Sequence, residues 1–434
     1  MHSRGATTYV GLCMLLTLGL GSAYMRYVPR WNNPDEPAHW NFIVYVARTG
    51  QLPILQPGDY PEQTLEVLKS LHFPGDRSIE TIRYESHQPP LYYVIGAALY
   101  RLSAPISPDG ALYLIKIMSV LAAVALVWVT YRIGCVVAID SHWIAAAAAG
   151  LVALLPMNLN MAAAVNNDTL GNLLLAMVVL LCLHSLQTGL DRRHGTRLGM
   201  VMGLALLTKV TAFVALPLVA VASVLAAPMA RGTARRHLVG VATTFLVSLV
   251  VAGWWPVRNV LVYGGGDFLG LARNREVATQ PLTGPLTTEA VRRWASITFD
   301  SFWGQFGWMG IPLDGRVYRV LLLATVLAVA GLVVRGLRHR SPEAAPVAWP
   351  SMILVATWLA LVVGDDIWYN LTFIQAQGRY LFPALPAFGL LFAGGLLTFL
   401  RPRAAWVGAC GIAGSLTLLN VSILWSVLRP YFHT

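Results

Sequence analysis

The sequence predicts an all-α polytopic membrane protein of about 11 transmembrane helices, with interfacial helices in the first extracytoplasmic loop. Three observations carry this reading. Hydrophobic residues make up 56% of the 434-residue chain and charged residues only 12%, with a mean hydropathy of +0.60. A water-soluble chain of this length needs a more polar surface. Apolar runs recur from one end to the other, and short arginine-rich segments fall between them. The formal net charge of +11 therefore marks topology, and nucleic acid is not expected as a partner. Cys13, Cys135, Cys182 and Cys410 all lie in apolar runs, so no disulfide framework is implied. The sequence has no Walker-type phosphate loop, no Cys-x-x-Cys and no His-Glu-x-x-His. The Gly264-Gly265-Gly266 run reads as a flexible turn.

Spans are expected near 9–28, 112–134, 142–161, 168–188, 197–208, 210–227, 237–257, 316–334, 348–364, 380–399 and 404–426. The first run reads as an uncleaved helix rather than a signal peptide, because the topology requires it. The pair 197–208 and 210–227 reads as two crossings rather than one long helix. With that choice, Arg192, Arg193 and Arg197, then Arg231, Arg235 and Arg236, then Arg335, Arg338 and Arg340, then Arg401 and Arg403 all fall on one side. The bias of Lys and Arg toward cytoplasmic loops makes that side the cytoplasm and places the N-terminus there. The opposite face receives the first extracytoplasmic loop, 29–111, a tight turn at Lys209, the later loop 258–315 and the segment 365–379. Within the first loop, Pro37–Thr49 and the short apolar Pro89–Leu102 read as interfacial helices. No internal repeat is evident, and the chain 1–434 is expected to form a single transmembrane domain without a soluble C-terminal domain.

The residues with chemistry gather on that outer face. Asp35 and Glu36 follow the first span, and adjacent helical residues point about 100° apart, so one can face a cavity while the other holds position. Asp35 shares a helix face with His39, four residues on. Asp35 reads as a general base toward an acceptor hydroxyl or amine, or as an N-terminal helix cap; the two are compatible. His87, ahead of Pro89-Pro90, reads as a substrate contact or a satisfied interfacial histidine. Asp35, His39 and His87 are also conceivable ligands for a divalent metal, but their spacing matches no recognised pattern and no cofactor is required. Asn167 and Asp168, at the outer end of two spans, read as a cavity lining or a helix start. Lys209, Arg258 and Arg379, with Gln377 and Tyr380 beside the last, suit a phosphate arriving on a lipid, or snorkel to headgroups. Trp303, within an aromatic run, stacks on a sugar or lipid chain or belongs to an interfacial belt. Asp365 and Asp366 face outward with no role beyond acceptor contact.

Taken in order, Asp35-Glu36, His87-Gln88-Pro89-Pro90-Leu91, Asn166-Asn167-Asp168, Lys209 and Gln377-Gly378-Arg379-Tyr380 resemble the GT-C superfamily of integral-membrane glycosyltransferases. The likeness is to the branch holding protein O-mannosyltransferases and the lipid A aminoarabinose transferase. It implies an inverting transferase in the bacterial cytoplasmic (inner) membrane, using a polyprenyl-phosphate sugar donor and an envelope glycan, lipid or protein acceptor. It also implies that Asp35 is the catalytic base, that Arg379 and Lys209 hold the lipid phosphate, and that His87 shapes the site; Glu36 is carried along as a second catalytic residue. Physical chemistry agrees. A lipid-borne sugar phosphate reaches a compartment without nucleotide sugars, and its displacement needs a base and cations rather than a nucleotide site. Two other classes compete: a transporter or flippase of lipid-linked sugars, and a polysaccharide ligase or polymerase. A transporter is expected to carry its polar residues at mid-membrane on broken helices related by a repeat.

Overall fold

In a computed structural model, residues 2–138, 141–230, 234–278, 287–338, 348–372 and 375–433 are described. Arg231 and Arg340 lie outside the described residues, as do 279–286 of the later loop and 373–374. Among the described residues the regular elements are helices, apart from one hairpin of two-residue strands, Gln305–Phe306 with Ile311–Pro312. Among the described residues, eight helices are long and apolar enough to cross a membrane, or nine with one bent pair counted as a span. Arg192–Leu206 and Val210–Ala226 are shorter, so each expected segment is helical while fewer meet the length of a full crossing. The turn between these two is tight, with Lys209 extended at φ −153° and ψ 144°.

The core forms around His142–Leu154, a helix apolar on every side and buried from Ile144 onward. Its alanines let His2–Tyr27, Pro108–Val137, Leu385–Leu397 and Ala405–Ser422 pack close around it. The helix then breaks by 57° into Pro156–Ala162. Pro156 has no N–H for the Val152 carbonyl, and the extended Leu155 ends the ladder. Three freed carbonyls find side-chain donors instead. Asn158 Nδ2 donates to Val152 (2.9 Å), Thr17 Oγ1 to Ala153 (3.2 Å) and Asn420 Nδ2 to Leu154 (2.8 Å). In hydrocarbon no water is available to take these roles. The bend carries the chain into the buried turn 163–167, which precedes Asp168.

The first loop holds the helices Glu36–Thr49, Glu62–Ser70 and Leu91–Ser103. The first and last of these pack through Phe42 and Tyr93, stacked at 3.7 Å between ring centroids. Arg101 Nε donates to the Ala47 carbonyl at 2.6 Å, closing the C-terminus of Glu36–Thr49 with a cation. The later loop holds Trp254–Tyr263, Leu271–Ala278 and Thr288–Trp303; Thr287 starts the last by accepting from the Ala290 N–H. The two loops are tied together. Trp308 Nε1 donates to the Trp31 carbonyl (2.8 Å), and Arg258 Nη2 to the Pro53 carbonyl (2.6 Å).

Candidate active site

The two loops and the adjoining helix ends enclose a cavity of about 1330 Å³. Its wall carries an alternating row of charges. Asp35 immediately precedes the helix Glu36–Thr49 and adopts a left-handed backbone, φ 66° and ψ −7°. In that conformation its carboxylate does not cap the helix. One oxygen accepts from the Tyr84 hydroxyl at 2.7 Å, and the other is ion-paired and hydrogen-bonded to Arg379 Nη2. Arg379 also lies 3.7 Å from Asp168 Oδ2, and Asp168 Oδ1 is paired with Lys209. The order is Asp35, Arg379, Asp168, Lys209.

Local structure explains each placement. Gln377 Oε1 accepts from Arg379 Nε at 2.7 Å, and the guanidinium lies over the Tyr380 ring at 5.4 Å. Gly378 lets this segment lie against Thr288–Trp303: a Cβ there would meet the Phe302 backbone nitrogen at 2.2 Å. Asp168 is the first residue of its helix, and its N–H donates to Asn166 Oδ1 at 3.0 Å. Asn167 donates to the Thr208 carbonyl at 2.9 Å, joining the Asp168 helix to the Lys209 turn, while its Oδ1 is buried without a partner. His39 shares Nδ1 with the Tyr93 hydroxyl (2.8 Å), and His87 shares Nδ1 with the Tyr84 carbonyl (3.1 Å).

Electrostatics follow from burial and neighbours. Burial pushes the Asp35 carboxyl up, but Arg379, His39 and Tyr84 outweigh it and hold it below its ordinary value. Burial pushes His39 down despite Glu85, Asp35 and Asp168, and pushes His87 down to about 4. Burial raises the Glu85 carboxyl, with His39 opposing and Asp35 adding. Near neutral pH the site thus holds an ionised Asp35, and His87 is a neutral imidazole.

Asp35, His39, His87, Asn167, Asp168, Lys209, Gln377, Arg379 and Tyr380 all line the cavity, as do Asp365 and Asp366. Glu36, Arg258 and Trp303 do not. Glu36 is fully buried: it pairs with Lys116 at 2.8 Å and accepts from the Trp31 and Val165 N–H groups at 2.9 and 3.1 Å. Its two oxygens are committed to structure, which sets it apart from the catalytic role expected for it. Arg258 is held between the Trp255 and Tyr263 rings while it binds Pro53. Trp303 packs among Phe299, Phe302 and Phe392. Among the described residues, no three His, Cys, Asp or Glu side chains are grouped to hold a metal ion. Asp35, His39 and His87 are not such a group. Sequence reasoning missed Tyr84 and Glu85, which line the cavity just ahead of His87; of the aromatic run from Phe302 to Trp308, Trp308 lines the cavity and Trp303 does not. The Tyr-Glu pair adjoining the His-Gln-Pro-Pro stretch was the available signal for the first two.

A helical fold with several spans long and apolar enough to cross a membrane, around a cluster of paired carboxylates and cations, defines the class. The chain belongs to the family described as predicted membrane protein (DUF2142), whose profile matches residues 61–388. Its fold resembles that of ArnT from Cupriavidus metallidurans in the apo state, with a TM-score of 0.52 and 16% identity over 96% of this chain and 65% of that one. It resembles equally ArnT bound to undecaprenyl phosphate, with a TM-score of 0.52 and 14% identity over 98% of this chain and 64% of that one. The oligosaccharyltransferase of Archaeoglobus fulgidus in the apo form gives a TM-score of 0.53 and 12% identity over 98% of this chain and 55% of that one. The chain therefore spans less than two thirds of the solved proteins it resembles. The chain shares the fold of these solved proteins over nearly its whole length. Comparison with curated proteins gives no match.

Proposed function

We propose that this protein is an inverting glycosyltransferase that moves a sugar from a polyprenyl-phosphate donor to an envelope glycan, lipid or protein. The observation that carries the reading is the Asp35–Arg379 pair on the wall of the cavity, with Lys209 one carboxylate further along. The donor phosphate competes with Asp35 for Arg379 and with Asp168 for Lys209. A phosphate seated on both cations withdraws the guanidinium from Asp35, so the carboxylate regains basicity when donor is bound. Asp35 then takes the proton of an acceptor hydroxyl or amine. The acceptor atom forms a bond to the anomeric carbon, the carbon–oxygen bond to phosphate breaks, and the electron pair leaves on a phosphate oxygen held by Arg379 and Lys209. The scheme needs no metal, because side-chain cations neutralise the leaving group. The likeness of fold to ArnT bound to undecaprenyl phosphate supports a lipid-phosphate donor.

The reading places the protein in the bacterial cytoplasmic membrane with its N-terminus inside. Arg192 and Arg193, Arg235 and Arg236, Arg335, and Arg401 and Arg403 sit at or near helix ends opposite those that line the cavity, so the positive-inside bias turns the cavity outward. The test is transfer from a polyprenyl-phosphate sugar pool by purified Asp35→Asn protein. Transfer should fall by about 10²–10⁴-fold, the range for losing a general base, while insertion and folding persist. A folded variant that still transfers at the wild-type rate removes Asp35 from the mechanism.

A further inference from the structure

We infer that Glu85, together with His39, reads the sugar of the donor by holding hydroxyls of a polyhydroxylated ring. The inference rests on the transferase reading above and extends it to a residue that the phosphate site does not use.

Of the carboxylates that line the cavity, Asp35 and Asp168 are committed. Asp35 is held by Tyr84 and Arg379, and Asp168 by Lys209 and Arg379. Glu85 sits on the turn Tyr84–His87, between the residue that binds Asp35 and the residue that follows it into the cavity lining. It is half-buried, and it forms no ion pair among the described residues. Its electrostatic neighbours are His39, Asp35, Lys209 and Arg379, which puts it amid the row of charges rather than at its edge. His39 feels Glu85 more strongly than any other charge. Tyr93 occupies His39 Nδ1, and Nε2 has no protein partner among the described residues.

A carboxylate drawn away from water is costly until donors reach it. Here Asp35 and Asp168 form ion pairs, and Glu85 forms none among the described residues. A carboxylate has no donors of its own when ionised, but its two oxygens accept from two hydroxyls at once. A free phosphate monoester or a lipid tail offers no row of hydroxyl donors; a sugar ring does. Glu85 and the open nitrogen of His39 thus suit the part of the donor that the cations do not recognise.

The experiment is a titration of detergent-purified full-length protein with undecaprenyl phosphate and with a panel of synthetic undecaprenyl-phosphate monosaccharides, read by native mass spectrometry. Wild type is expected to prefer at least one glycosylated lipid over the bare one. Glu85→Gln and Glu85→Ala should keep bare-lipid affinity within about twofold, and lose the preference by about tenfold or more, the loss expected for hydrogen bonds to a charged group. Glu85→Asp should recover part of it. Full preference in Glu85→Ala overturns the inference. So does equal loss of both lipids, which would make Glu85 part of the phosphate site or of folding. Wild-type protein that binds the bare lipid and shows no preference across the panel also overturns it, while leaving the phosphate site standing. Wild-type protein that binds neither lipid refutes the transferase reading, and the inference with it.

Discussion

Asp35 and Arg379 are separated by 344 positions in the chain and joined by a hydrogen-bonded ion pair. The acid stands on a left-handed residue ahead of a helix; the base stands one residue past a glycine pressed against another backbone. In the proposed mechanism each holds the other out of its chemical role until a phosphate takes the guanidinium. Asp35 is less basic because Arg379 is near, and Arg379 is unavailable to an anion until Asp35 lets go.

The two halves of that pair should separate by assay. Arg379→Ala is expected to weaken binding of undecaprenyl phosphate by about tenfold or more, since a charge-assisted contact to the phosphate is lost. Asp35→Asn removes a competitor for the guanidinium and should leave affinity equal or tighter. Arg379→Lys should recover little, because a point charge does not reproduce the planar fork. Equal lipid affinity in Arg379→Ala and Asp35→Asn would contradict the assignment.

Glu36 and Lys116 form the other decisive contact, and it is structural. Lys116→Met leaves the Glu36 carboxylate buried and unpaired, and should destabilise the protein by about 3–5 kcal/mol. Adding Glu36→Gln removes the stranded charge while keeping an acceptor oxygen for one of the Trp31 and Val165 N–H groups, so the double variant should be more stable than Lys116→Met alone. Denaturation midpoints of the two single variants and the double in detergent test this; strictly additive losses would show that the two residues do not act as a pair.

His87 predicts a pH dependence of stability. Its imidazole is held down to about 4 by burial, against an ordinary value near 6.5. Between those values the unfolded chain takes up a proton that the folded chain refuses, so stability falls as pH drops through this window and levels off below about 4. The full effect is on the order of 3 kcal/mol. His87→Gln cannot take up that proton, and the difference in melting temperature between variant and wild type should change across pH 6.5 to 4 in the variant's favour. A constant difference would show that His87 is accessible to protons in the folded state.

Arg258 provides a control for the phosphate site. It binds Pro53 and lies between two aromatic rings, away from the cavity lining. Arg258→Ala should lower stability by about 1.5–3 kcal/mol, as expected for losing a hydrogen bond from a charged group, and leave lipid affinity within about twofold. A loss of affinity as large as that of Arg379→Ala would place it in the donor site after all.

Much of this architecture was legible because hydrocarbon leaves few options. Apolar runs and arginine clusters marked the helical segments, and Asp35, Asp168, Lys209 and Arg379 stood out as charges with no reason to border such runs. What the pattern did not reveal was partnership. Glu36 and Asp35 look alike in sequence, and only the distant Lys116, inside an apolar run, decides that one is locked away and the other faces the cavity. Arg258 and Arg379 are equally conspicuous, yet Pro53 and the rings of Trp255 and Tyr263 claim the first. Trp303 and Trp308 belong to one aromatic stretch, and a hairpin of a few residues puts the second on the cavity wall. In the sequence Glu85 stands beside the stronger pattern of His87, Pro89 and Pro90; that it forms no ion pair among the described residues emerges only from the partners its neighbours take.

The side chain of Asn420 closes a gap left by the kink of a helix 266 positions earlier in the chain. Chain termini of most proteins fray without harm to the interior. Here loosening of the segment Ala405–Ser422 would strip Leu154 of its donor at a depth where a bare carbonyl is severely penalised. The last long helix is thus a keystone for the middle of the molecule, and damage at one extremity would be felt first at the turn that leads into Asp168.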